Sequence, residues 1–308
     1  MSNIAQTIRS ISALAAVLVA VSSCEDIIHP DLESAAPILV VDAWINNRAE
    51  TQVVILTQSQ AYFDNSTPPG VRDASVTITD DHGNSFDFIE DDKKAGYYNW
   101  KPGSVVFGTV GYTYKLNVVV NGELFVSETR MGRVPPIDSI TFDKSKRTGS
   151  ADSIVRAEFW AMDPAGVGDA YFIRSYKNGT LLNKPSEINI AYDAGFSAGG
   201  QTDGVTFITP IRRGINSRDE DDKGTLLSPI VTGDSMNVQI HSISNAAFIY
   251  LNEVSIQTNR PGGFQELFAR PLANVSTNIS STKSGGSKVL GFFNVAAVTS
   301  GGKRYKGK

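Results

Sequence analysis

Cysteine, histidine and net charge are all scarce in this chain of 308 residues, which has one cysteine, three histidines and a formal charge of −4. A single cysteine excludes an internal disulfide, a CxxC redox motif and a thiolate zinc site. The histidines lie far apart in sequence, at His29, His82 and His241. Because long runs of lysine and arginine are also missing, the sequence excludes a general nucleic-acid-binding surface. It predicts neither a cofactor nor a metal site.

Long hydrophobic runs are missing as well, because no segment is apolar over the roughly 18 residues that a membrane-spanning helix needs. The apolar run Ile11–Val21 follows Arg9 and has the length of a signal-peptide core. Small residues at positions 21–23 then lead into Cys24, the single cysteine. This arrangement resembles a bacterial lipobox. We therefore predict that residues 1–23 are a lipoprotein signal peptide and that Cys24 is diacylated on sulfur. An ordinary secretory signal with a chance cysteine is the alternative.

The segment after this cysteine, residues 24–36, has the character of a tether and begins with the acidic pair Glu25 and Asp26. Acidic residues at this place resemble the signal that sends Bacteroidota lipoproteins to the cell surface. Two or three acyl chains anchor a protein far more firmly than one. We therefore expect the protein to be anchored in outer-membrane lipid through Cys24 and exposed on the cell surface. A simple solvated tether is the alternative for the acidic pair.

The rest of the chain has the composition of a globular protein, with 41% hydrophobic and 19% charged residues. Short β-branched segments alternate with turn residues such as Asp81–Asn84 and Asn121-Gly122, which predict hairpins. The count and spacing of strands predict an immunoglobulin-like β-sandwich over residues 37–134. Two prolines that follow Val134 are unsuited to a central strand and mark the predicted domain boundary.

The second predicted domain, residues 135–308, is also β-rich. Its segment 189–233 is rich in glycine and polar residues and predicts long loops over a sheet. Apolar residues recur at near-helical spacing over Asn245–Thr258, the one helix that the sequence predicts. A closing strand is expected at Val289–Val298 and a frayed basic tail at residues 303–308. The predicted fold class is all-β, with about one helix.

Segments that resemble one known family occur in order along the chain. They are LVVDAWI from residue 39, GYYNW from residue 96, VPPIDSITF from residue 134, the Asp163-Pro164 loop and KVLGFFNVAAV from residue 288. Together they resemble the Bacteroidota lipoproteins of domain-of-unknown-function family 4249, over about residues 37–299. The resemblance implies a surface lipoprotein, often encoded beside a TonB-dependent transporter, with no established enzyme activity or ligand. It carries over no functional residue except the lipidated Cys24.

One catalytic motif is present in the sequence. Residues 195–199 read G-F-S-A-G, and Ser197, Asp234 and His241 follow the chain order of an α/β-hydrolase triad. That motif requires a strand before the serine and a helix after it. Glycine and polar residues follow here instead, and the strands do not alternate with helices. We therefore predict a glycine-rich loop and no enzyme.

Three weaker patterns concern binding or modification. The acidic loop 219–222 offers hard oxygen ligands but departs from the spacing of a calcium loop, so calcium binding there is left open. Tyr97, Tyr98 and Trp100 fit either a stacking platform or core packing, and core packing is the commoner role. Asp-Ser-apolar tripeptides resemble Bacteroidota O-glycosylation acceptors, and the candidate serines are Ser139, Ser153 and Ser235.

The sequence thus favours a non-catalytic accessory or partner of a TonB-dependent transporter in nutrient capture or uptake. The alternative is a stand-alone surface module that binds a glycan or a peptide through the loops of residues 189–233. A serine hydrolase that uses Ser197 is the least favoured hypothesis.

Overall fold

The computed structural model describes residues 36–61, 64–103, 106–146, 153–221, 223–260 and 262–307. Residues 37–60 and 65–308 form one compact unit. The predicted signal peptide, Cys24 and most of the predicted tether lie outside the described residues. Among the residues that are described, no helix combines the length and the apolar character needed to cross a membrane.

Strands dominate the described part of the chain, which forms sixteen of them and two α-helices. The helices are α1 (Thr209–Arg213) and α2 (Asn245–Thr258), and 3-10 helices cover Pro185–Glu187 and Gly263–Phe268. The predicted all-β fold class is confirmed, with one short helix more than expected. In chain order the strands are β1 (Leu39–Asn46), β2 (Gln52–Gln58), β3 (Ser75–Asp80), β4 (Ser85–Glu90), β5 (Tyr97–Trp100), β6 (Thr113–Val120), β7 (Glu123–Arg130), β8 (Ser139–Lys146), β9 (Ser153–Trp160), β10 (Ala170–Lys177), β11 (Thr180–Leu181), β12 (Asn189–Tyr192), β13 (Ser235–Ile243), β14 (Ser280–Ser281), β15 (Val289–Ala296) and β16 (Val298–Arg304).

Nine strands form the first sheet, in the order β14-β7-β6-β3-β4-β5-β2-β1-β15. The sheet bends back on itself, because β7 and β15 also contact each other. Alternate side chains point inward, as the period of a strand requires, and Val41, Ala43 and Ile45 of β1 are at most 1% exposed. The immunoglobulin-like label for residues 37–134 stays a prediction, and the sheet takes in β15 from far along the chain.

The second sheet has the order β11-β10-β13-β16, and β12 pairs with β10. The separate hairpin of β8 and β9, together with α1, packs on one of its faces. That contact forms a second hydrophobic core, which includes Ile140, Phe159, Tyr171, Ile173, Ile211, Val238 and Ile240. The opposite face of β10 packs against α2, where Ala170, Ile243, Ala247, Leu251 and Phe292 form a third buried hydrophobic cluster.

The local sequence signals locate the turns and the long helix. Asn121 and Gly122 join β6 to β7 with φ angles of 51° and 75°, the left-handed conformation that this pair tolerates. The predicted turn at Asp81–Asn84 joins β3 to β4. Helix α2 has the predicted bounds, and the Ser244 side chain caps it by accepting a hydrogen bond from the Ala247 amide at 3.1 Å.

The predicted frayed tail is wrong at its beginning. Lys303 and Arg304 belong to β16, where they pair with Met236 and Ser235 of β13. Their backbone groups thus find partners that only the tertiary fold supplies. Helix α1 was also missed, because five residues are too few for a helical period and its stability comes from the fully buried Ile211.

The last two strands divide between the two sheets. β15 pairs with β1 in the first sheet, and after Ala297 the chain continues as β16, which pairs with β13 in the second. The predicted boundary after Val134 stays a prediction. This crossing places the outer side of β1 opposite the face of β10 and β13 that also contacts α2.

Candidate functional site

A cleft of about 390 Å³ lies between the outer side of β1, the α2-facing side of β10 and β13, and helix α2 itself. We call it the aromatic cleft. The lining residues on which its chemistry depends are Asp42, Trp44, Phe172, Arg174, His241 and Tyr250. They come from four separate elements, so the tertiary fold creates the site.

Strand alternation explains why these side chains point into the cleft. β1 buries Val41 and Ala43 in the first core, which turns Asp42 and Trp44 outward. In the second sheet, cross-strand pairing sets Phe172 opposite His241 on the same face. The two sheets thus face each other across these side chains, and Trp44, Phe172 and Tyr250 pack against the third buried cluster.

Trp44 is the centre of an aromatic wall. Its ring stacks on Phe292, with centroids 5.8 Å apart and 23° between the planes. Tyr250 lies 6.1 Å from Trp44 and 4.6 Å from Phe292, and Phe172 meets Trp44 edge-on at 6.4 Å. Rings held this firmly offer a preorganised apolar surface to a ligand.

Asp42 and Arg174 bring opposite charges to the cleft. Neither side chain makes a hydrogen bond or an ion pair of standard length to another residue of the described chain. Asp42 keeps an exposed surface, but partial desolvation by the surrounding cleft raises its pKa, and the positive charge of Arg174 opposes that rise. Both groups therefore have unused hydrogen-bonding capacity where a ligand would lie.

His241 is the buried titratable group of the cleft. It is 7% exposed, and its Nε2 atom lies 3.1 Å from Oε1 of Gln239. Burial, followed by the positive charges of Arg174 and Arg48, lowers the pKa of His241 to about 3. The imidazole is therefore neutral at physiological pH, and it supplies a polar wall without a charge.

We expect this histidine to make the protein less stable in acid. The unfolded chain takes up a proton near pH 6.5 and the folded chain near pH 3, so stability falls as pH is lowered through that window. Between pH 7 and 4.5 the wild type should lose about 2–3 kcal/mol more unfolding free energy than His241→Gln. Urea unfolding of both proteins at the two pH values measures the difference. Equal losses in both proteins would contradict the burial of a neutral imidazole.

The structure separates the residues of the candidate hydrolase triad. Ser197 lies on an exposed loop between β12 and α1, and α1 begins twelve residues later at Thr209. Asp234 pairs with Lys177 at 3.1 Å and accepts a hydrogen bond from Asn178, while His241 contacts Gln239. The strand–turn–helix geometry that activates such a serine is thus missing from the described residues around Ser197.

Tyr98 and two residues of the acidic loop make contacts within the protein. Tyr98 is fully buried and its hydroxyl donates to the carbonyl of Val71 at 3.0 Å, so its ring cannot stack on a ligand. In the acidic loop, Asp219 pairs with Lys184, and Asp221 accepts hydrogen bonds from the amides of its own turn. Residue 222 lies outside the described residues, and calcium binding by this loop stays a prediction.

The three candidate glycosylation serines differ in accessibility. Ser139 begins β8 and Ser153 begins β9, and both are exposed. Ser235 is half-buried, and its hydroxyl donates to Oδ1 of Asn178 at 3.3 Å. Accessibility thus favours the first two serines, and modification of all three stays a prediction.

Sequence reasoning missed a carboxylate cluster of Asp163, Asp193 and Asp203, with one oxygen of each within 4.8 Å of the others. Asp163 accepts hydrogen bonds from the Tyr171 hydroxyl at 2.6 Å and the Gly204 amide at 3.2 Å. Burial raises the pKa of Asp163, and these two hydrogen bonds oppose the rise. Asp193 and Asp203 likewise accept from backbone amides, so the cluster braces three loops. No local spacing motif could have revealed it, because its members lie far apart in sequence.

Fold and site together define an all-β protein that presents a small aromatic and charged cleft between two sheets. The chain belongs to the family described as domain of unknown function DUF4249, whose match covers residues 25–301. This confirms the family inferred from the sequence segments. Among proteins with curated functions, none matches the chain.

Proposed function

We propose that the protein is a non-catalytic binding lipoprotein of the outer membrane, exposed at the cell surface, that serves a TonB-dependent transporter in nutrient capture or uptake. The observation that carries the proposal is the aromatic cleft, where a rigid ring wall faces two oppositely charged side chains with unused hydrogen-bonding capacity. Such a combination suits capture of a ligand rather than its chemical conversion. The lipobox-like segment before Cys24 supports the proposed anchor.

A test of the partnership uses the tagged protein at its native expression level. We expect a TonB-dependent transporter to co-purify from outer membranes solubilised in mild detergents, and not with an unrelated tagged surface lipoprotein. Absence of a transporter in several detergents would contradict the partnership. It would leave the alternative of a stand-alone glycan- or peptide-binding module.

Ligand capture is tested separately, on glycan and peptide arrays. A ligand that binds saturably through the guanidinium of Arg174 should bind about tenfold more weakly, or worse, to Arg174→Gln. A ligand that binds through the carboxylate of Asp42 should lose as much in Asp42→Asn, because each substitution removes a charge-assisted contact. Arg130→Gln is the matched control, since Arg130 is an exposed arginine of β7 outside the cleft. Unchanged binding in both cleft variants would show that the cleft is not the site.

A further inference from the structure

A second cavity, of about 550 Å³, lies between the start of β9 and the loops that follow α1. We call it the basic pocket. The lining residues that matter for its chemistry are Ile154, Arg156, Arg213, Arg218, Leu226 and Ile230. It shares no lining residue with the aromatic cleft. It belongs instead to the loop region of residues 189–233 and to the hairpin that those loops cover.

Positive charge exceeds negative charge among the residues that line this pocket. Its lining holds three arginines and one glutamate among the described residues. Behind the lining, Glu158 contacts Arg213 at 3.4 Å and Arg212 at 2.9 Å. One buried carboxylate is thus shared between two guanidinium groups and cannot balance both.

Arg156 and Arg218 have more N–H donors left for a ligand. Arg156 donates to the neutral hydroxyl of Ser145 at 3.3 Å. The Arg218 guanidinium makes no hydrogen bond or ion pair to any residue that the structure describes, and the residue is exposed. Guanidinium groups with free N–H donors bind planar anions such as carboxylates in a two-point contact.

The wall beside these arginines is apolar. Ile154 and Leu226 are half-buried, and Ile230, only 8% exposed, forms part of the floor. An inorganic anion would gain nothing from this wall. A hydrocarbon group attached to the anion would remove apolar surface from water on both partners.

We propose that the basic pocket binds a small amphipathic carboxylate, with the acid group on Arg156 and Arg218 and the attached apolar group on Ile154, Leu226 and Ile230. A peptide C-terminus with an apolar last residue has this chemistry, as does a free branched-chain acyl acid. This site goes beyond the proposed function, because it does not depend on the aromatic cleft or on a transporter.

The probe is N-acetyl-leucine, and the matched ligand is its neutral amide, both titrated calorimetrically into the full chain. We expect saturable binding of the acid, at least about tenfold weaker binding of the amide, and a similar loss for the acid in Arg156→Gln/Arg218→Gln. These two arginines lack a buried partner, so the double variant should fold. Arg130→Gln, an exposed arginine in the first sheet, should bind as the wild type does.

Two further titrations sharpen the test. Heptanoate in place of N-acetyl-leucine should also bind, because the proposal requires a carboxylate and an apolar group but no peptide. Inorganic phosphate should bind more weakly than either acid. Absence of saturable binding by both acids, equal binding of the amide, or phosphate binding as tight as that of the acids would each overturn the proposal. Unchanged binding in a folded double variant would overturn it as well.

Discussion

Replacing Cys24 with serine is expected to abolish lipid attachment completely. The predicted diacylglycerol attaches through the cysteine sulfur, which serine lacks, and each buried CH₂ contributes about 0.8 kcal/mol to anchoring. Fractionation should therefore find the wild type in the membrane. Cys24→Ser should carry no acyl mass, and it should stay uncleaved where the lipoprotein peptidase is the only processing enzyme. Intact-mass spectrometry measures both the acylation and the removal of residues 1–23.

Ser22→Ala is the matched control for this substitution, because it changes a neighbouring residue and keeps the lipobox-like pattern of small residues before the cysteine. It should be cleaved, acylated and anchored as the wild type is. A wild-type protein that is released without acyl chains would contradict the lipid anchor, and the surface partnership would lose its basis.

Gly291→Ala is expected to destabilise the first sheet strongly. Gly291 has a φ of 96°, which L-residues with side chains rarely adopt, and it lies directly beside Val41 of β1. An added Cβ would overlap the carbonyl group of Val41, which is backbone and cannot rotate away. We expect a loss of about 3–5 kcal/mol of unfolding free energy, a large part of the stability of an ordinary domain.

Chemical unfolding, monitored by tryptophan fluorescence, measures this loss. Gly103→Ala provides the control, because a Cβ added at Gly103 would meet no atom within 4 Å and the residue has no positive φ. Its effect should stay within about 0.5 kcal/mol of wild type. A Gly291→Ala protein as stable as the Gly103→Ala protein would show that β1 and β15 are not packed as tightly as described.

Much of the fold follows from short-range patterns in the sequence. The alternation around Val76 and Ile78 buries both residues, and the Asn121-Gly122 pair makes the expected turn. These features depend on neighbours in the chain, so sequence alone predicts them. The pairing of β1 with β15 depends on contacts between distant segments, and no local pattern specifies it.

The candidate site was harder to predict, because four distant elements contribute to it. The sequence placed His241 only in a candidate hydrolase triad, and in the structure its ring contacts Gln239 instead. The sequence of β10 holds a better signal of the cleft. Its residues Ile173 and Ser175 face the core, so Arg174 lies on the other face of an otherwise apolar strand. A charge on the second face of an otherwise buried strand indicates that something other than the core lies there.

The parallel pairing of β1 with β15 also fixes the order in which the protein can mature. Translation delivers Leu39 long before Val289, its partner across the two strands. Until the ribosome has made the last part of the chain, β1 has an unpaired edge, and the first sheet cannot close. A chain that stays incomplete in this way suits the proposed export, because a secretion channel passes unfolded chains more easily than folded ones. Stop codons placed before residue 289 should accordingly yield products that proteases clear, whereas loss of residues after Arg304 leaves both sheets whole.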